Sequence, residues 1–162
     1  HEEGVRRALT RVINNYAKNN NFLNETKISF KINQGYLNSS PERTVRVRTK
    51  DNKGFLTIKG ESNLSGTTRF EWEKEIPFDE AIELLKLCED FIIEKTRHIV
   101  IYGNKTFEID VFEGKNKGLI IVEVELENEN ETSELPDWIE EEVTGDIKYY
   151  NSYISTNPFC NW

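Results

Sequence analysis

The stretch Glu42-Arg-Thr-Val-Arg-Val-Arg48 decides the fold, because apolar and basic side chains alternate along it with a period of two. Residues i and i+2 of a strand share a face, so the two valines face one way and Arg46 and Arg48 face the other. The next stretch, Gly54-Phe-Leu-Thr-Ile-Lys-Gly60, repeats the pattern with Lys59 in the polar phase. Together they predict neighbouring antiparallel strands with one apolar and one charged face.

Acidic side chains occupy the polar phase of strands predicted further along the chain. The opposite phase of those strands is filled by Val, Leu, Ile, Phe and Trp, which helices must cover. The charges are therefore segregated by strand, whereas a surface adapted only for solubility would mix the two signs. The carboxylates in the polar phase are Glu71, Glu73, Glu75, Glu108, Asp110, Glu123, Glu125 and Glu127.

A sheet of this kind has two possible arrangements. It can be an ordinary antiparallel sheet with its charged face in water. Alternatively, seven or eight such strands can close on the charged face and form a polar tunnel. Converging Arg and Lys side chains would bind a polyanion with many oxygens, and the carboxylates would bind Mg²⁺ or Mn²⁺. A polyphosphate chelated to a metal meets both demands, and the metal would activate water or polarise a phosphoryl oxygen.

Length and composition exclude several classes of protein. The chain has 162 residues, and no repeat or composition break divides residues 1–162, so we expect a single domain. A net charge of −8 argues against a general nucleic-acid binder. No apolar run approaches the roughly 20 residues that span a bilayer, and we recognise no secretory leader. The two cysteines, Cys88 and Cys160, are too few for a disulfide framework, which indicates a reducing, cytoplasmic compartment.

Two segments have helical spacing. A helix within residues 1–20 is predicted by the spacing of Val5, Ala8, Leu9, Val12, Ile13 and Tyr16. A second helix is predicted after Pro77 with Asp79 as its N-cap, and its apolar stripe consists of Ile82, Leu85, Cys88, Phe91 and Ile92.

A series of short motifs accompanies the alternation. In chain order they include Gln34-Gly-Tyr-Leu37, Glu42 to Arg48, Gly54 to Gly60, Arg69 to Pro77, Lys95-Thr-Arg97, Glu108 to Phe112, Gly118 to Leu126, and Pro136 to Asn151. In this order the motifs resemble the CYTH superfamily, the triphosphate tunnel metalloenzymes, and within it the small bacterial inorganic triphosphatases. The resemblance implies a mainly β (α+β) fold. This would be an antiparallel, closed or nearly closed eight-stranded tunnel barrel with a charged lumen and helices packed outside.

The resemblance also implies roles for individual residues. The substrate-binding positions would be Arg46, Arg48, Lys59, Arg69, Arg97 and, as the late basic residue, Lys148. The metal-binding or acidic tunnel positions would be Glu71, Glu73, Asp110, Glu123 and Glu125.

The N-terminus departs from the family pattern, in which the first strand carries Glu-x-Glu-x-Lys. The nearest alignment here keeps one carboxylate at Glu3 as a metal ligand, has Val5 in place of the second, and puts Arg7 where the catalytic Lys belongs. Arginine is a poor substitute, because its geometry differs and it does not give up a proton at ordinary pH. Loss of this strand would leave an open seam in the barrel.

The leading functional expectation is metal-dependent hydrolysis of inorganic triphosphate, or of another triphosphate, with Arg7 and Lys59 in catalytic roles. One alternative is a tunnel that binds polyphosphate or nucleotide without turnover. Others are a nucleoside or thiamine triphosphatase and an adenylate cyclase. The expected ligands are inorganic triphosphate or a nucleoside triphosphate together with Mg²⁺ or Mn²⁺. No nucleic acid or membrane is expected, and a homodimer is possible.

Overall fold

The computed structural model describes residues 7–13, 21–62, 69–126 and 134–162. Its strands are β1 (Arg7–Val12), β2 (Thr26–Asn38), β3 (Arg43–Lys50), β4 (Lys53–Ser62), β5 (Arg69–Ile76), β6 (Glu89–Tyr102), β7 (Lys105–Phe112) and β8 (Ile120–Leu126). Its α-helices are short: α1 (Asn21–Glu25), α2 (Phe78–Leu85) and α3 (Asn151–Ile154). Single 3-10 turns span Gly114–Asn116, Ile147–Tyr149 and Phe159–Asn161.

The eight strands form one sheet in the order β1-β8-β7-β6-β2-β3-β4-β5, and every pairing is antiparallel. The predicted antiparallel, closed or nearly closed eight-stranded architecture is confirmed. Within the described ranges no ladder joins β1 to β5, so the seam lies between these strands. The outer edge of β1 is covered by the segment 140–143, where the Val12 amide donates to the Glu141 carbonyl at 3.0 Å.

The apolar face of the sheet carries most of the core. Helix α2 packs on β3 and β4, where Val47, Ala81 and Leu85 are buried together. On the other half of the sheet, Phe22 and Trp138 cover the apolar side chains of β6 to β8. This is the cover that the apolar phase of each strand predicts. In the described part of the chain, no helix has the length and apolar character needed to cross a membrane.

The charged face curls around its own side chains. We call it the lumen face and define it by Arg48, Arg97 and Asp110, which the strand registers place on one side of the sheet. The side chains of Arg46, Arg48, Lys59 and Arg97 are only 15–19% exposed, although α1 and α2 pack on the opposite face. A flat sheet would leave these long side chains in water, so the low exposure reflects strong curvature.

One end of the lumen face is apolar and closed. Ile93, Phe112 and Ile121 lie there in lumen positions and are buried against Ile154 of α3. Asn151, at the start of α3, accepts a hydrogen bond from Lys95 Nζ at 3.2 Å. Helix α3 therefore covers this end of the lumen face.

The helix predicted within residues 1–20 is wrong where the structure describes the segment. Residues 7–12 form β1, which pairs with β8 from Arg7 opposite Leu126 to Val12 opposite Ile121. The apolar positions of so short a segment fit either period, and pairing with an otherwise open edge of the sheet favours the strand. Ile13 directly follows β1 and is buried in the core, and the remaining residues of that prediction lie outside the described ranges.

The second predicted helix is present but shorter. Helix α2 ends at Leu85, and its N-cap is Pro77, not Asp79. Phe91 and Ile92 belong to β6, which begins at Glu89. The predicted helix was too long, because the β-branched and aromatic residues at the start of β6 continue the helical spacing.

Candidate functional site

A first cluster of opposite charges spans β3, β4 and β5 on the lumen face. Glu73 accepts from Arg48 Nη2 at 3.3 Å and from Arg46 Nη2 at 3.5 Å. Thr57, fully buried between them, donates its hydroxyl to Glu73 at 2.6 Å. One carboxylate thus holds two guanidinium groups side by side, and an excess of positive charge remains for a ligand. Alongside, Lys59 Nζ lies 3.0 Å from a Glu71 oxygen.

A second cluster spans β6, β7 and β8. Arg97 donates to Asp110 from Nε at 2.7 Å and from Nη2 at 2.8 Å. It also donates to Glu123 at 3.3 Å and to Glu108. Lys95 donates to Asp110 at 2.6 Å. Asp110 is therefore held by two cations from the neighbouring strand, an arrangement that the direct pairing of Arg97 with Asp110 makes possible.

The two clusters differ in how deeply their central carboxylates, Asp110 and Glu73, are buried. Burial raises the pKa of the Asp110 carboxyl, but Lys95 and Arg97 more than offset this and hold it at about 2. Burial lowers the pKa of Lys95, which Asp110 opposes. Burial also raises the pKa of Glu73, but the Thr57 hydrogen bond and the nearby Arg side chains outweigh it, so the net shift is downward. Both carboxylates are therefore ionised at neutral pH.

Several buried donors on the lumen face have no acceptor among the residues that the structure describes. They are the Nε atoms of Arg46 and Arg48 and the Nε2 atom of Gln34. A buried donor without an acceptor costs folding free energy, so such groups are rare in native proteins. All three lie in the adjacent strands β2 and β3, where a ligand with several acceptor oxygens would give them partners.

The carboxylates of β8 offer oxygen ligands but not a complete cage. Glu123 and Glu125 share the lumen face, and Glu108 pairs directly with Glu123. Among the described residues, no three acidic, His or Cys side chains are placed to hold a metal ion together. This donor set still fits Mg²⁺, which is commonly bound by one or two carboxylates together with substrate phosphates and water.

The first strand contributes little polar chemistry to this region. The register places Ala8 opposite Glu125 and Thr10 opposite Glu123. The lumen positions of β1 are therefore the even-numbered ones, whereas the alignment through Glu3, Val5 and Arg7 uses odd-numbered ones. Residue 7 pairs with Leu126, outside the lumen phase, and Glu3 lies outside the described residues.

The structure brings most of the expected site residues together on one face. These are Arg46, Arg48, Lys59, Glu71, Glu73, Arg97, Asp110, Glu123 and Glu125. Arg69 occupies a position in β5 opposite Ser62, and its side chain is outside the described set. Lys148 lies elsewhere, because its Nζ sits 4.1 Å above the ring of Trp162 at the C-terminal end of the chain.

We expect Lys148→Ala to change the KM for a polyphosphate less than twofold, because this exposed ammonium is stacked on Trp162. An exposed cation–π contact contributes only about 0.5–1 kcal/mol, so the protein should stay folded. Steady-state kinetics in parallel with thermal unfolding checks this expectation. A rise in KM of tenfold or more would instead show that Lys148 reaches the ligand.

Sequence reasoning overlooked three members of the site. Lys95 and Gln34 both belong to the series of family motifs, but the burial of Lys95 depends on α3, which sequence periodicity does not place there. Thr57 and Gln34 occupy lumen positions in β4 and β2, but the prediction relied on charged residues, and these two side chains are uncharged. Strand phase was the available signal, because each is an even step from a residue already assigned to the lumen or pairs directly with one.

Comparison with known proteins gives consistent matches. The family model described as the CYTH domain matches residues 4–154. The inorganic triphosphatase of Acetivibrio thermocellus is 47% identical over 130 residues, which are 80% of this chain and 82% of the relative. The inorganic triphosphatase of Nitrosomonas europaea is 34% identical over 128 residues, or 76% of this chain and 83% of the relative. A crystal structure of an inorganic triphosphatase, 26% identical, covers 93% of both chains with a TM-score of 0.68.

Proposed function

The chain belongs to the CYTH domain family, and on this basis we propose that it hydrolyses inorganic triphosphate in its charged lumen with the help of a divalent metal ion. The observation that carries the proposal is the pair of largely buried guanidinium groups of Arg46 and Arg48 on the lumen face, whose Nε atoms have no acceptor among the described residues. Triphosphate supplies many oxygens in a short chain, which such donors bind well. The two relatives named inorganic triphosphatase support the choice of substrate.

The chain's own residues would hold the substrate and offset its charge. Arg46 and Arg48 bind phosphoryl oxygens from β3, while Glu73 keeps both guanidinium groups in place. Lys59, 3.0 Å from Glu71, is positioned to offset charge that develops on the leaving phosphate. Arg97 is already bound to Asp110 and Glu123, so it acts mainly by fixing the acidic side of the pocket.

Mg²⁺ or Mn²⁺ is the metal we propose, with Glu123 and Glu125 of β8 as its protein ligands. When bound, the ion would lower the pKa of a coordinated water and polarise a phosphoryl oxygen. The absence of a ready cluster of three carboxylates among the described residues favours entry of the metal together with the triphosphate. Binding without turnover is the second candidate, since Ala8 and Thr10 give the lumen positions of β1 neither a carboxylate nor an amine.

Phosphate release from inorganic triphosphate, measured with Mg²⁺, with Mn²⁺ and with EDTA, tests the proposal. We expect release that needs the metal and stops on chelation. Thermal unfolding in the same solutions separates the candidates, because a ligand that binds only the folded state raises the melting temperature. A triphosphate-dependent shift in melting temperature without phosphate release would favour binding without turnover. If neither the shift nor phosphate release is observed, both candidate functions are refuted.

We expect Glu125→Gln to raise the metal concentration needed for half-maximal turnover about tenfold, because it removes one anionic oxygen ligand. Glu113→Gln is the matched control, since Glu113 is paired with Lys31 and Thr96, which lie in the phase opposite Lys95 and Arg97. Metal titrations of both variants give the comparison. Equal metal requirements in the two variants would remove Glu125 from the metal site.

A further inference from the structure

Gln34 lies on the lumen face of β2 at the border between the basic cluster and the closed apolar end. It pairs directly with Arg48 on one side and with Ile93 on the other. Ile93 belongs to the apolar cluster that α3 seals. In this row of paired positions, Gln34 therefore lies between Arg48 of the basic cluster and Ile93 of the apolar cluster.

The side chain of Gln34 is buried, and within the described part of the chain its amide nitrogen lacks a partner. The residue is 1% exposed, and its Nε2 has no acceptor among the described residues. A leucine would fill nearly the same volume without the cost of desolvating an amide, so packing alone does not explain a glutamine here. The neighbouring buried Thr57 differs, because its hydroxyl has Glu73 as a partner.

The backbone around Gln34 is held firmly. A Cβ at the next residue, Gly35, would lie 2.7 Å from Ile92 Cδ1 and 2.8 Å from Cys88 Sγ on the opposite face. The close approach of α2's end and the start of β6 therefore requires glycine at this position. With β2 pressed against these elements, the Gln34 side chain has little freedom to turn away from the lumen.

We propose that Gln34 Nε2 donates a hydrogen bond to a non-bridging oxygen of the innermost phosphoryl group of the bound polyphosphate, beside Arg48. This assignment rests on the proposed function and makes Gln34 a substrate-binding residue. As a neutral donor it fixes the depth of the phosphate chain without adding charge to a pocket that already holds Arg46 and Arg48. The apolar end just beyond it, at Ile93, then limits how far the chain can enter.

Calorimetric titration with inorganic triphosphate tests this inference in wild type, Gln34→Leu and Gln34→Glu. We expect Gln34→Leu to weaken binding about tenfold, the loss of one hydrogen bond to a charged acceptor. Gln34→Glu keeps the shape but replaces the donor with an anion, so its loss should be larger. The melting temperature of free Gln34→Leu should equal or exceed that of the wild type, because an unpaired buried amide is removed.

Thr49→Val is the matched control, since Thr49 is a buried polar residue of β3 in the phase opposite Arg48. It should leave the affinity for triphosphate unchanged. Failure of the wild type to bind triphosphate would overturn the proposed function itself. Wild-type affinity in both Gln34 variants, with the wild type binding normally, would overturn only the assignment of Gln34. If Gln34→Leu does not fold, the isosteric Gln34→Glu decides the question alone.

Discussion

Replacing Arg48 with glutamine is expected to lower kcat/KM for inorganic triphosphate about 100- to 1000-fold, the range seen when one preorganised donor to a developing charge is removed. The guanidinium is mostly buried, and its Nε has no acceptor within the described ranges. Burial lowers the pKa of Arg48, and so does the nearby charge of Arg46. A bound anion would therefore stabilise the charged form of this guanidinium. KM should rise because a contact to the substrate is lost. The value of kcat should fall because negative charge develops on the leaving oxygen during the reaction.

The same variant should be folded. Glu73 keeps Arg46 and Thr57 as partners when Arg48 is neutralised, and the repulsion between the two arginines disappears. We therefore expect the free energy of unfolding to change by less than about 1 kcal/mol, as for most partly exposed ion pairs. Urea unfolding gives this number alongside the kinetics.

Arg43→Gln provides the matched comparison, because Arg43 is an exposed arginine of the same strand in the opposite phase. It should change kcat/KM less than twofold. If both variants lose activity equally, the effect belongs to the overall charge of the protein and not to the lumen. If Arg48→Gln loses less than threefold, Arg48 does not bind the substrate.

Alternation along the strands is what allowed the charged face to be predicted from the sequence. A period of two is clearest in the middle of β3, β5 and β8, where charged inward positions flank an apolar outward residue, Val47, Trp72 or Val124. For that reason Arg46, Arg48, Glu71, Glu73 and Glu123 meet on one face, as expected.

The first strand shows where such reasoning fails. Its six described residues fit helical and strand periods equally well, and only the pairing with β8 decides between them. The register shifts the lumen phase by one residue relative to the alignment, so Ala8 and Thr10, and not Arg7, occupy lumen positions. No local pattern contains this information, because register depends on the partner strand.

Buried ion pairs are a second limit. The contacts among Lys95, Arg97 and Asp110 depend on which strand neighbours β6 and on α3 closing the lumen. A sequence reveals the three charges but not that their environment is dry. Their contribution to stability therefore becomes visible only in the folded structure.

Asp110→Asn is expected to lower the free energy of unfolding by about 3–5 kcal/mol, the cost of leaving a buried charge without its partner. Asp110 is 2% exposed and is the counterion of Lys95, itself 3% exposed, and of Arg97. Adding Lys95→Met should restore part of the loss, because it removes one of the stranded cations. Glu75→Gln, which breaks an exposed pair with Lys53, should cost less than about 1 kcal/mol. Urea unfolding at pH 7 supplies all the values.

The difference in stability between wild type and Asp110→Asn should also depend on pH in a defined window. The pKa of Asp110 is about 2 in the folded protein, below the value of about 3.9 for an unfolded aspartate. A depressed carboxyl pKa stabilises the folded state fully above the unfolded value, and this stabilisation is lost as the pH falls through the folded value. The difference should therefore be constant from pH 7 to about pH 5 and shrink between about pH 4 and pH 2. Comparing the variant with the wild type cancels the other carboxylates, so a difference that stays constant down to pH 2 would show that Asp110 is not held ionised by Lys95 and Arg97.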